Sequence, residues 1–277
     1  MHSKHEESFW ALILGASSGF GEATALQLAR DGYNIIGVHL DRQATMPNVE
    51  RIVNEIESCG REAIFFNINA ADDEKREEIL SRLEHRKEGR PLVKVLMHSL
   101  AFGTLRAFIP KEGETGMTKA QMEMTIDVMA NSLVYWTQDL VKRGMLANKG
   151  RIFAMTSSGG HTAIPYYGAV SAAKAALESH VRQLSVELGS REIGVNAIMA
   201  GVTDTPALRK IPGNMEMMDI AIRKNPRGRL TSPKDIGKII SVLSRDGGEW
   251  ISGSVIHADG GEDVVSYIGQ NRELSII

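Results

Sequence analysis

Short apolar runs alternate with longer amphipathic stretches along this chain. The first run, WALILGA, is followed by the helical period of GEATALQLARDG and then by a second apolar run, YNIIGVHL. Runs of this length, bounded by glycine and polar clusters, predict buried strands, so the chain opens with a strand–helix–strand unit. The alternation continues: VERIVNEIESCG leads to REAIFFNIN, and KREEILSRLEHR leads to PLVKVLMHSLA. Two longer helical stretches, KAQMEMTIDVMANSLVYWTQDLVKRG and YYGAVSAAKAALESHVRQLSVELGSR, each precede a strand, GRIFAMTSS and IGVNAIMAG. With the late GSVIHADGG, seven strands are expected. Strands alternating with helices predict an α/β doubly wound parallel sheet, with helices on both faces and ligand at the carboxyl ends of its strands.

Composition narrows the picture. The 277 residues are 43% hydrophobic and 24% charged, with a net charge of −2, which suits a single compact domain over 1–277. The one cysteine, Cys59, cannot form an internal disulfide, and no leader with a basic start and an apolar run is seen, so a cytoplasmic location is expected. No apolar run approaches the roughly 20 residues that span a bilayer. Charges of both signs are scattered, without a basic face for nucleic acid. Neither membrane nor nucleic acid is expected as a partner, no metal site is proposed, and small-molecule chemistry remains.

The first strand runs into GASSGFG. Gly15, Gly19 and Gly21 let the backbone turn tightly and bring helix N–H groups against a pyrophosphate, with Ser17, Ser18 and Phe20 in the same loop. A strand before and a helix after place this glycine triplet in a Rossmann-type dinucleotide site.

These residues, with VNAIMAGVTDT and NPRGRLTSPKDIG…ISGSVIHADGG, resemble the short-chain dehydrogenase/reductase family over essentially the whole chain. Two departures are informative. Ordinary members place a catalytic tyrosine four residues before a lysine, and here that position is Val170. They read Asn-Asn-Ala-Gly after the fourth strand, where this chain has HSLAFG, Phe102 and Gly103 included. Both departures resemble the enoyl-acyl-carrier-protein reductase branch, whose tyrosine and lysine stand seven apart, as Tyr167 and Lys174 do.

Physical chemistry gives the spacing a meaning. At about 100° per residue, seven positions return to the same helix face about 10.5 Å away, against about 6 Å for four. In ketone reduction, one carbon takes the hydride and bears the oxygen that takes the proton, so the phenol sits close to the nicotinamide. In a conjugated thioester, hydride goes to the β-carbon and charge collects on a carbonyl oxygen farther along. The wider spacing moves the donor outward and leaves Lys174 on the cofactor ribose. Tyr167 would then stabilise an enolate-like oxygen, and Tyr166, rotated about 100° on a helix, would point away.

Other assignments follow from the resemblance. Ser157 falls at the serine of ordinary members, where many enoyl reductases carry an outer tyrosine; its place here, with ALRKIPGNMEMMDIAIRKNPRGRL, resembles a subgroup with an ordinary glycine loop. Met129 replaces the relay asparagine of ordinary members, and Asn131 lies on another face. Asn69 matches an adenine-binding position, Ser99 and Ala101 a cofactor-lining strand end, and Gly201, Thr203 and Thr205 the segment that holds the carboxamide and pyrophosphate. At the ribose, His39 stands where an acidic residue would mark NAD, while Asp41 and Arg42 argue oppositely, and the balance falls slightly to NADPH over NADH.

The segment 206–227, with Met215, Met217 and Met218, is expected to form a substrate lid by resemblance; from composition alone it is equally a core helix stripe. Arg209, Lys210, Arg223 and Lys224 suit an anionic carrier, acyl carrier protein or coenzyme A, or simply a solvated face. The expected function is an enoyl-thioester reductase of fatty acid synthesis. Alternatives are a carbonyl or 3-oxoacyl reductase, or a non-catalytic dinucleotide-binding protein. The resemblance also implies a homotetramer.

Overall fold

The computed structural model describes residues 9–266, so the parts of the expected 1–277 domain at 1–8 and 267–277 lie outside the described residues. Seven parallel strands form the sheet, in the order β3-β2-β1-β4-β5-β6-β7. The first half alternates strictly: β1 (Phe9–Leu14), α1 (Gly19–Arg30), β2 (Asn34–His39), α2 (Met46–Ser58), β3 (Ala63–Asn67), α3 (Asp73–Glu84) and β4 (Leu92–His98). The order reverses between β1 and β4, which opens the crevice where doubly wound sheets bind ligands.

Period-two alternation distributes the core. On β1, Trp10, Leu12 and Leu14 face a cluster built with α3 and the later helices Ser132–Lys142 and Gly168–Glu187, while Ala11 and Ile13 face another built with α1, α2 and the late helix Pro233–Leu243. Burial on both faces explains why the strands read as continuous apolar runs.

The second half is α4 (Lys119–Ile126), α5 (Ser132–Lys142), β5 (Leu146–Thr156), α6 (Gly168–Glu187), β6 (Gly194–Ala200), α7 (Asn214–Lys224), α8 (Pro233–Leu243) and β7 (Val255–Ala258). Two local differences from the sequence reading matter. The first long helix is broken by a π-turn at Asp127–Asn131, which sets Met129 and Asn131 in their final directions. The second begins at Gly168, with Tyr167 as its N-cap. Tyr166 therefore lies before the helix, with φ of 64°, and it points outward for that reason and not by helical rotation.

Candidate functional site

The first turn carries the sharpest steric constraints. A Cβ on Gly21 would lie 1.9 Å from the Gly15 carbonyl oxygen, and one on Gly15 would lie 2.4 Å from that of Ser99. Gly15 and Gly19 also have positive φ, 91° and 57°. Only glycine fits this close backbone approach. Ser18 is the N-cap of α1, and its side chain makes no capping bond. Backbone N–H groups at that helix start suit a bound phosphate, so the residues present fit a dinucleotide.

Beyond the carboxyl ends of the strands opens a cavity that communicates with solvent. It gathers Phe20 from α1, Ser99 and Ala101 after β4, and Ser157, Tyr167 and Lys174. Gly201, Thr203 and Thr205 line its other side. Thr203 is buried and donates to the Gly201 carbonyl at 2.9 Å, and Thr205 Oγ1 accepts from Leu208 N at 3.2 Å. Gly15, Ser17, Ser18, Gly19, Gly21, His39, Asp41, Arg42 and Asn69 do not line this cavity.

Lys174 is buried, and its ammonium donates to the Met155 carbonyl at 2.7 Å. Burial pushes it down to about 8, with the Glu178 carboxylate opposing the fall. Tyr167 is packed with Val170 and Met129 in one apolar cluster. Burial raises its phenol, and the neighbouring Ser157 hydroxyl opposes that rise. Ser157 Oγ is buried and, among the described residues, has no hydrogen bond of full geometry, so the Tyr167 contact is a close approach short of a formed bond. Val170 is 5% exposed, and a Cβ on Gly103 would come within 2.9 Å of it and 2.8 Å of Met129 Sδ. Val170 also lines the cavity, and it presents an apolar side chain there instead of a phenol.

His98 belongs beneath this site. Its Nε2 lies 2.8 Å from Ser132 Oγ, whose proton goes to the Val128 carbonyl, so Nε2 is the donor of that pair. Burial, then the charge of Lys174, push His98 down to about 3, which keeps it neutral. Asn131 is engaged with His180 Nε2 at 3.1 Å, consistent with leaving it out of the site.

At the end of β2, His39 is buried and its Nδ1 lies 3.0 Å from Asp41 Oδ2. Burial would raise the Asp41 carboxyl, but hydrogen bonds with Ser17, Thr45 and His39 outweigh it and hold the group low. Asn67, which sequence reasoning missed, clamps the Asp41 backbone on both sides: its Oδ1 accepts from Asp41 N and its Nδ2 donates to Asp41 O. Asn69 lies beyond the strand end, exposed, with its side chain accepting from Ala71 N at 3.1 Å. Arg42 is exposed.

In the segment 206–227, Met217 reaches the cavity wall while Met215 is 73% exposed. Arg209 is tied to Asp204 by two bonds of 2.7 and 2.9 Å, and Arg223 to Asp219 at 3.0 Å. Lys210 lines the cavity rim. Among the described residues, no group of three or more His, Cys, Asp or Glu is arranged to hold a metal ion, and no helix is long and apolar enough to cross a membrane.

A doubly wound sheet with a glycine-tight first turn defines the class, a dinucleotide-binding fold. The chain belongs to the short-chain dehydrogenase/reductase family: the family model described as Enoyl-(Acyl carrier protein) reductase matches residues 15–262. It is 30% identical over 256 residues to a 3-oxoacyl-[acyl-carrier-protein] reductase FabG of Pseudomonas aeruginosa, covering 91% of this chain and 96% of that one. It is 27% identical over 238 residues to the enoyl-[acyl-carrier-protein] reductase [NADH] FabI of Aquifex aeolicus, covering 86% of each. Among solved structures, the angucycline C-6 ketoreductase LanV with bound NADP superposes with a TM-score of 0.79 at 25% identity, over 92% of this chain and 96% of that one.

Proposed function

We propose that the protein reduces the C=C bond of a trans-2-enoyl thioester. One observation carries the reading. The position four before Lys174 is a valine that lines the cavity and offers no hydrogen-bond donor, while Tyr167, seven before it, lines the same cavity with Lys174. A bound reduced nicotinamide would supply the hydride. The chain's own residues do the rest. The Tyr167 hydroxyl, its proton held by burial, donates to the thioester oxygen as charge gathers there, an interaction stronger in the transition state than in the ground state. The phenol proton passes to that oxygen, the resulting enol tautomerises to place a proton on the α-carbon, and solvent reprotonates the phenol. The Lys174 ammonium adds positive potential behind it, and the apolar wall of Val170 and Met129 keeps water from the reacting carbons. Residues 206–227 serve as the lid, with Met217 against the acyl chain. The curated relatives are named for acyl-carrier-protein substrates, which supports that carrier for this chain.

A second reading has its own support. Ser157 Oγ is buried, unsatisfied and beside the Tyr167 phenol, so both hydroxyls could donate to one carbonyl oxygen, as ketone reduction requires. Purified protein offered crotonyl and acetoacetyl thioesters of the same carrier separates the two. Enoyl turnover without ketone turnover is expected, and ketone turnover alone would sink the first reading.

For the cofactor, the ionised Asp41 beside Ser17 favours a free ribose 2′-hydroxyl, and so NADH, over the slight NADPH lean of the sequence. A 2′-phosphate there would face a carboxylate that already has its donors. Asp41→Ser is expected to raise the NADPH-to-NADH ratio of kcat/KM by about tenfold, the equivalent of about 1.4 kcal/mol. An unchanged ratio in the two initial-rate series would rule Asp41 out as the selector.

A further inference from the structure

We propose that Glu178 is a positioning residue for the active site, holding Lys174 charged and seated on the end of β5. This rests on Lys174 serving the reaction, whichever carbonyl compound is reduced. Lys174 and Glu178 lie one turn apart on α6 and grip successive residues of one strand end. Lys174 Nζ donates to the Met155 carbonyl at 2.7 Å, and Glu178 Oε1 accepts from Thr156 Oγ1 at 2.6 Å. Ser157 follows directly, so the same grip sets the hydroxyl beside Tyr167.

The turn that follows closes over both groups. A Cβ on Gly160 would stand 3.0 Å from Glu178 Oε1 and 3.4 Å from Lys174 Cβ, and one on Gly159 would stand 2.5 Å from the Tyr167 ring. Two consecutive glycines let the backbone lie on the tyrosine and on the carboxylate at once. No side chain at 159 or 160 could do so without moving them.

Of the charges around Lys174, the Glu178 carboxylate one turn along α6 is the one that favours its charged form. On α6 the groups are Glu178 and, at the N-cap, Tyr167, whose phenol stays neutral. From β5 come the Met155 carbonyl and the Thr156 and Ser157 hydroxyls. From β4 comes His98, neutral and itself depressed by the lysine. His180, farther along α6, is lowered by burial and adds no negative charge. Met129, on the π-turn, supplies neither charge nor a hydrogen bond where ordinary family members carry an asparagine. The carboxylate therefore offsets the burial that pushes Lys174 toward its neutral form.

The sign is definite. Reduction needs Lys174 protonated, so activity falls as pH rises through its pKa of about 8. Without the carboxylate that pKa drops further, and the alkaline limb moves to lower pH. Glu178→Gln keeps an acceptor for Thr156 and removes the charge. Its alkaline limb in kcat/KM is expected about one unit lower than wild type. Glu178→Asp is expected to restore most of that shift. Thr156→Val keeps the charge, so its limb should stay in place while kcat falls.

The profiles are measured with whichever thioester the wild type reduces, alongside the pH dependence of NADH affinity by fluorescence. A limb in Glu178→Gln that superimposes on wild type overturns the proposal, and so does an equal shift in Thr156→Val. Absence of enoyl turnover in the wild type counts against the proposed reaction and leaves this test intact, because the limb can be read on a ketone or on NADH binding.

Discussion

Tyr167→Phe is expected to lower kcat on the enoyl thioester by about 10²–10³-fold, the usual loss when one donor to a developing oxyanion is removed. The ring stays, so packing with Val170 and Met129 is retained and the protein should fold and bind cofactor as before. The comparison that gives the result meaning is Tyr166→Phe. Tyr166 is 39% exposed and sits at a φ of 64°, turned away from the cavity that Tyr167 lines. Its loss is expected to change kcat by no more than about twofold, the scale of a surface substitution. Activity that survives Tyr167→Phe and is lost in Tyr166→Phe would exchange their roles and remove the spacing argument. Equal residual activity in both would leave the oxyanion to Ser157 and shift the weight to carbonyl reduction.

The adjacency of these tyrosines also shows where sequence reading reaches its limit. Sequence spacing pointed to Tyr167 and Lys174 together, and the structure places both on one cavity, although Tyr167 is the N-cap of α6 and only Lys174 lies within the helix. The outward turn of Tyr166 has another origin, a left-handed backbone just before α6, which few sequence signals announce for a tyrosine. The sheet was legible strand by strand because parallel strands buried on both faces stand out as apolar runs. The π-turn at 127–131 was not, because one extra residue in a turn leaves no mark in the hydrophobic period. At the ribose end, Asn69 fits the family position, yet β3 stops at Asn67, and it is Asn67 that clamps Asp41. Glu178 reads as an ordinary helix carboxylate until β5 brings Thr156 against it. At Asn67 and Glu178 the missing information is a contact between elements distant in the chain; at Tyr166 and the π-turn it is a local backbone choice.

Arg151 is the largest instance, and its removal is expected to cost the most stability. In sequence it is the polar flank of a strand; in the structure it is 1% exposed and serves five acceptors. Its Nε donates to the Leu243 carbonyl at 3.2 Å, one terminal nitrogen to the carbonyls of Lys149 and Gly150, and the other to the Arg245 carbonyl and to Glu249 Oε2 at 2.7 Å. It thus caps the carbonyl end of α8 with a cation, where the helix dipole favours one, and ties that end to the middle of β5. Arg151→Met keeps the apolar stem and leaves these acceptors without donors. At about 1–3 kcal/mol for each group that stays buried, a loss of about 3–5 kcal/mol is expected. At fixed protein concentration this should lower Tm by roughly 10 °C. Arg151→Lys, with three donors in place of five, should fall between. The effect is expected to reach the cofactor loop, because α8 packs directly on α1: a Cβ on Gly237 would lie 2.7 Å from the Ala23 carbonyl. Affinity for the nicotinamide cofactor should therefore weaken in Arg151→Met at temperatures well below its Tm. A Tm within about 2 °C of wild type would mean that water replaces the guanidinium at every acceptor, and that the α8 end is held by its apolar face alone.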